Sequence, residues 1–334
     1  MKYFRKVFLA IPCGEFYENQ KKIIITICEN LNLEPIINED DSSTNSLLSQ
    51  ITEQINEADL FIADISSNSP NVVFELGYAY KSKYIDNIGI LLSNISKCPS
   101  DLQDFKRIQY NSFNDLAEKL YKWLSQFSLN NNKPDFNKIK LTDFYESFQD
   151  NDRFLRLWSL PLGCNYSLTY NGFRFTNAHI PIITKHLAFL DNYVFEFDCL
   201  INNSVIGWIV KGTKFDYNDN LIDFCIMINL NIDGNIHPHI FSKLITDGSG
   251  GYKSFDRLKI THNLDLTKRL NVKTFVNDSK IKILINDNLC FDDDFNNGQY
   301  KSYYNLVPIK TNQIGFRCHP SEEATVCSVK VSQI

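Results

Sequence analysis

Residues 58–80 read ADLFIADISSNSPNVVFELGYAY, and the fold is decided there. Leu60, Phe61, Ile62 and Ala63 make a short apolar run, the pattern of a strand buried on both faces of a parallel sheet. Asp64 stands where that strand ends. Ser69-Pro70 reads as an N-cap followed by proline at the first helical position, where the missing N–H has no partner to lose. The helix then carries Asn71 and Glu75 on one face, with Val72, Val73, Phe74, Leu76, Gly77 and Ala79 around the glutamate. Ligands of open parallel sheets collect at the carboxyl ends of strands, so both acids are expected in one crevice. Two readings stand side by side. Either the pair has a chemical task, or Asp64 caps its loop and Glu75 is a part-exposed carboxylate favoured by the helix dipole.

Outward from this stretch, strand and helix alternate. Residues 5–12 are expected as the first strand, and the loop Cys13-Gly14-Glu15-Phe16-Tyr17 follows at the same sheet edge as Asp64. Its glycine permits close backbone approach; its aromatics either stack on a base or nicotinamide or pack on the next helix. Ile23, Ile24, Ile27 and Leu31 recur at helical spacing over 18–31, and Leu33 to Ile37 is a second strand. Glu39, Asp40 and Asp41 after it read as a solvated loop, with contact to a ribose hydroxyl as the alternative. A helix over 46–58, strands at 88–92 and 107–110, and a helix over 114–127 complete a doubly wound α/β unit.

Residues 129–138 lose periodicity and gather Asn, Lys and Pro, the marks of a linker between domains at 1–128 and 139–334. Beyond it the period becomes two. Phe195, Phe197, Cys199 and Ile201 alternate with Glu196, Asp198 and Leu200, and Phe224, Ile226, Ile228 and Leu230 follow suit. Asp233-Gly234-Asn235 and Asn277-Asp278-Ser279 are turn signals, so the second domain is expected as an antiparallel β-sandwich. His237 and His239 share a strand face, but with no third ligand nearby a metal is not expected. Asp292-Asp293-Asp294 reads as a solvated turn, with calcium as the alternative. Trp158 and Trp208 offer either core packing or a platform for a sugar ring.

Composition bounds the function. The 334 residues, 43% hydrophobic and 22% charged, suit about two globular domains. A net charge of -5 argues against nucleic acid as a main partner. No run is long enough to span a bilayer, and Val7 to Ile11 is too short for a signal peptide, so a cytoplasmic protein is expected. Nine cysteines without C-x-x-C spacing read as free thiols of a reducing compartment.

The matching residues Asp64, Asn71, Val72, Phe74, Glu75, Leu76, Gly77 and Ala79 resemble the signature of nucleoside 2-deoxyribosyltransferases and the related TIR-like domains of prokaryotes. Lys6 to Pro12, Asp101-Leu102 and Arg107 to Tyr110 agree, so the resemblance covers residues 4–126. It implies an N-glycosidase in which Glu75 is catalytic and Asp64 holds the sugar or base. Pro12, Cys13, Gly14, Phe16, Tyr17, Ser66 and Asn71 become the expected substrate-binding residues, with Asn71 donating to Glu75 or to substrate. No cofactor is needed, because NAD+ would be the substrate. No histidine falls in residues 1–128 to protonate a leaving base, which favours a cationic nicotinamide. The resemblance further implies an effector of bacterial immunity that works as a homo-oligomer. Gln313 to Pro320, Glu322 to Val326 and Val329 to Val331 resemble the closing strands of concanavalin-A-like sandwiches, including laminin-G-like ones, and imply a carbohydrate or protein ligand. The alternatives are a nucleoside deoxyribosyltransferase or nucleoside hydrolase, or a non-catalytic nucleotide-binding domain beside a carbohydrate-binding or glycosidase sandwich.

Overall fold

A computed structural model describes residues 5–37, 47–94, 96, 98–103, 105–130, 132–136, 139, 141–161, 163–184, 192–216, 221–245, 251–306 and 312–334. Glu39, Asp40 and Asp41 lie outside them. The chain divides into two compact units, Met1–Thr142 and Asp143–Ile334. Among the described residues no helix is long and apolar enough to cross a membrane.

The first unit runs β1 (Arg5–Ala10), α1 (Glu15–Asn30), β2 (Leu33–Ile37), α2 (Leu47–Glu57), β3 (Leu60–Asp64), α3 (Pro70–Ser82), β4 (Ile88–Ser93), β5 (Ile108–Tyr110) and α4 (Phe113–Leu124). Its strands form one sheet in the order β2-β1-β3-β4-β5, parallel throughout. All five residues of β3 are buried, as a strand covered on both faces requires. Of the expected α/β unit the parallel sheet is present, with the helices in contact as the pairs α1–α4 and α2–α3. Phe8 and Phe61, neighbours in register, stack 5.5 Å apart, and Val72, Leu76 and Ala79 of α3 pack on the same cluster. Gly89 in β4 makes room for Trp123 of α4, whose ring would meet an added Cβ at 2.9 Å.

Asn130 in the expected linker, and Ser128 and Thr142 on either side of it, bond to the first unit. Ser128 Oγ donates to the Leu31 carbonyl at 2.6 Å and Asn130 Nδ2 to the Asn30 carbonyl at 2.9 Å. Thr142 N donates to Asn19 Oδ1 at 2.6 Å. Ser and Asn side chains bond backbone without regular structure, so lost periodicity did not mean lost packing.

The second unit begins with β6 (Phe144–Glu146), α5 (Asn151–Leu157), β7 (Trp158–Ser159), β8 (Asn165–Thr169) and β9 (Gly172–Thr184). It continues with β10 (Asn192–Asn203), β11 (Val205–Asp216), β12 (Leu221–Asn231), β13 (Asn235–Ser242), β14 (Tyr252–Ser254) and β15 (Leu258–Lys259). β16 (Leu270–Asn277), β17 (Lys280–Ile285), β18 (Asn288–Asp294), α6 (Lys301–Tyr304) and β19 (Gln313–Gln333) close it. The pairing is antiparallel, in the order β14-β13-β12-β11-β19-β10-β16-β17-β18, with β6 and β9 also on β19.

Three long strands hold this unit together, and they break register at one level. β10 and β11 continue each other through Ser204 at φ 65, and together run antiparallel to β19. β9 follows the other edge of β19 and turns at Asn177, φ 55. On β19 the break spans 319–322, where Asn203 Nδ2 donates to the Ser321 carbonyl at 2.9 Å and Thr176 Oγ1 to the Glu322 carbonyl at 2.6 Å. A left-handed residue in each flanking strand re-aims the chain there.

Side chains on one face of these strands form an aromatic core of Phe173, Phe175, Phe195, Phe197, Trp208 and Phe316. Trp158 and Trp208 are both in this interior, at 1% and 0% exposure, so neither is a sugar platform. The Trp208 indole donates to Thr274 Oγ1 at 3.0 Å. Both expected turns are present: Gly234 at φ 82 and Asp278 at φ 51 link β12–β13 and β16–β17. Asn286 and Asp287, at φ 49 and 61, add a tight turn before β18 that the sequence reading missed.

Candidate active site at the carboxyl ends of β1 and β3

The strand order reverses between β1 and β3, the place where parallel sheets open a crevice. After β1, Pro12 is buried while Cys13 and Gly14 are exposed. Gly14 caps α1 at φ 124 with open space around it, so conformation rather than room asks for glycine. Phe16 lies in the first turn of α1. After β3, Ser69 and Pro70 start α3 as expected, although Ser69 makes no side-chain cap.

Asp64 is wholly buried at 0% exposure. Its Oδ1 accepts from Ser66 N at 2.7 Å; its Oδ2 accepts from the Tyr110 hydroxyl at 3.0 Å and from Gln20 Nε2. Burial raises its pKa, and the Gln20, Ser66 and Tyr110 donors pull against that rise. Burial likewise holds Tyr110 well above its ordinary value, so it stays a donor to Asp64. Asp64 therefore faces protein donors. Ser66 is equally enclosed, at 4% exposure, its Oγ accepting from Ser93 N at 2.8 Å. Replacing Tyr110 by Phe leaves Oδ2 with Gln20 alone, an expected cost of about 1–3 kcal/mol. Urea unfolding of the variant checks it, and an unchanged midpoint would speak against this account.

Around this cluster some buried oxygens go unused. The Tyr17 hydroxyl lies beside Ser67 and interacts with it, but among the described residues neither of these oxygens nor Ser93 Oγ has a well-formed hydrogen bond. Burial pushes Tyr17 up to about 12. A ligand or water at this strand-end edge would satisfy these oxygens.

Glu75 sits in the second turn of α3, beside the buried Val72, Leu76 and Ala79. It is half-buried and makes no hydrogen bond or ion pair among the described residues. Desolvation alone lifts it to about 7. Asn71 is exposed and makes no bond to Glu75 among the described residues, so of its two expected roles donation to substrate is the one left open. No hydrogen bond joins Asp64 to Glu75. The sequence reading missed Gln20 and Tyr110, because nothing local in the chain marks residues 44 and 46 positions away as partners of Asp64.

In the second unit, His237 and His239 share a face of β13 with ring centroids 4.0 Å apart. No group of three or more metal-ligating side chains occurs among the described residues. Asp294 organises its turn, accepting from Ser279 Oγ at 2.6 Å, Asn296 N at 2.9 Å and Asn297 Nδ2 at 3.0 Å. All nine cysteines are free, and burial holds the Cys28 and Cys225 thiols up at about 12.

No protein-family model and no curated protein matches this sequence. Similar solved structures include a carbohydrate-binding module from Bacillus subtilis, at 14% identity over 53% of this chain and 95% of that one, TM-score 0.39. A Bacillus subtilis protein of unknown function with a galectin-like fold has 9% identity over 57% and 94%, TM-score 0.43. The laminarinase catalytic domain of Thermotoga maritima has 6% identity over 57% and 97%, TM-score 0.40. The likeness is one of fold, over part of this chain. The resemblance of residues 4–126 to deoxyribosyltransferases and TIR-like domains rests on the sequence motif.

Proposed function

We propose that the first unit cleaves the N-glycosidic bond of a nucleotide, with NAD+ as the foremost substrate and Glu75 as the carboxylate acting at C1′. The carrying observation is Glu75 itself: a half-buried carboxylate, lifted to about 7, with no hydrogen-bond or ion-pair partner among the described residues. A structural acid is normally paired; one left desolvated and unpaired is available to attack or stabilise an oxocarbenium-like carbon. Asp64 acts as a positioning residue, fixing the β3–α3 loop through Ser66 and drawing α1 to the sheet through Gln20. Tyr17, Ser67 and the backbone of Pro12, Cys13 and Gly14 are the groups left to meet substrate at this edge.

A second reading has its own support. Asp64, enclosed by its donors, is not set to receive a ribose hydroxyl, as a first unit that only binds a nucleotide would allow. The sandwich would then do the recognition work, with a carbohydrate as its ligand. Incubating the full chain with NAD+, with nucleosides, and with nucleosides plus a free acceptor base separates the readings. Nicotinamide release supports NAD+ hydrolysis, and base exchange only with acceptor supports transfer. No product, with thermal stabilisation by nucleotide, assigns the unit to binding.

A further inference from the structure

The helix that carries Glu75 has one uncovered side. Val72, Leu76 and Ala79 of α3 pack on the cluster of Phe8 and Phe61. Tyr78 is tied to α2, where Asn56 Nδ2 donates to its hydroxyl at 2.9 Å, and on the opposite flank Tyr80 meets Phe105 edge-on at 5.2 Å. Between those flanks Val73, Phe74, Gly77 and Lys81 stand outward, all exposed. At about 3.6 residues per turn they form one strip along the helix.

The strip is apolar where the solvent side of a helix is ordinarily polar or charged. Val73, Phe74 and Tyr80 are 38%, 52% and 54% exposed, and Tyr84, just past the end of α3, is 84% exposed. Gly77 lies at the middle. It has helical backbone, and an added Cβ would find no atom within 4 Å, so neither a left-handed turn nor crowding within the chain asks for glycine. Glycine inside a helix is disfavoured relative to alanine. Its place here is explained by a backbone that approaches from outside.

We propose that a second copy of this chain packs on this strip, α3 against α3, antiparallel about a two-fold axis through Gly77. The sequence around that point is self-complementary, as a two-fold interface requires. Phe74 and Tyr80 stand three residues before and after Gly77, and Val73 and Lys81 stand four before and after it. The axis therefore sets Phe74 of each copy on Tyr80 of the other, an aromatic pair made twice. It also lays the Lys81 stem along Val73 while the ammonium stays in water. The paired glycines let the two backbones close, and the helix dipoles run in opposite senses. A parallel pair would instead set Lys81 on Lys81.

The area is that of a reversible pair. Val73, Phe74, Tyr80 and Tyr84 together keep roughly 500 Å² of side chain in water, a patch of the size that is often functional on a monomer. Two copies would hide about 1,000 Å², the lower limit for a specific interface, so dissociation is expected at micromolar concentrations. The inference concerns assembly, and it holds or fails whatever the first unit does with a nucleotide.

The test is sedimentation of the full chain from about 1 to about 300 µM, where the dimer fraction should rise with concentration. Gly77→Gln should weaken the dimer at least tenfold while the dilute protein melts no lower than wild type, because the site is open and glycine is the poorer helix former. Phe74→Glu and Tyr80→Lys should each sediment as monomer. Mixed in equal amounts they should form a heterodimer, since the new carboxylate and ammonium meet across the axis. A wild-type monomer at every concentration overturns the second copy and leaves the strip to a different partner. A dimer that Gly77→Gln and Phe74→Glu leave unchanged overturns this face as the interface. Variants that fail to combine overturn the antiparallel pairing about Gly77.

Discussion

On the proposed glycosidase chemistry, the Glu75→Gln protein is expected to lose base release by about 1,000-fold or more and to be at the same time the more stable protein. Both effects come from one cause. The carboxylate is desolvated without compensation, so the ionised form is disfavoured where it stands and reactive for that reason. Its folded value, about 7, lies above its ordinary 4.5. For a raised acid the penalty is absent below the unfolded value, grows through the interval, and is complete above about 7. The full shift is worth about 3 kcal/mol; solvent at the exposed part of the side chain screens it to about 1–2 kcal/mol. Gln keeps the shape and discards the charge. Melting of wild type and variant should therefore coincide at pH 4 and separate at pH 8, with the variant higher. The wild-type rate should climb as pH rises through about 7, because the ionised form acts. A variant that is inactive and also less stable at pH 8 would make Glu75 a structural residue.

Gly172→Ala is expected to unfold the second unit. Gly172 opens β9 at φ 123, and an added Cβ would overlap the Val326 carbonyl and lie 2.6 Å from Cys327 Cα, both on β19. Backbone cannot step aside as a side-chain tip can, and the cost is expected above about 4 kcal/mol. Gly298 is the control. It is also in the left-handed region, at φ 53, but has nothing within 4 Å, so its alanine variant should lose only about 1–2 kcal/mol. Near-UV circular dichroism of the buried aromatic cluster reads both. Equal losses for the two variants would show that conformation alone, not crowding at β19, sets the cost.

Signals legible in the chain were those confined to a few neighbouring residues. The run before Asp64 became a fully buried strand because its apolar content leaves no solvent face, and Ser69-Pro70 started α3 because proline is tolerated only there. Period-two alternation gave β10 and β12, and Asp233-Gly234 gave the turn from β12 to β13. What escaped depends on partners far along the chain. Asp64 looked like a crevice acid until Gln20 and Tyr110 closed over it. The bend at Ser204 has no sequence mark, since serine rarely takes φ 65 unless surrounding strands impose it. Glu75 was found by its position in a motif; that it has no hydrogen-bond or ion-pair partner among the described residues is a fact only of three dimensions.

β19 lies at the centre of its sheet, flanked by β9, β10 and β11 and touched by β6, yet it follows all of them in the chain. Elements at the centre of a sheet cannot be added last without cost, because their neighbours wait with open edges until they arrive. The parallel unit is free to mature while the ribosome is still translating. The sandwich is not, because until residues 313–333 emerge its strands β9, β10 and β11 lack the strand that pairs with all three.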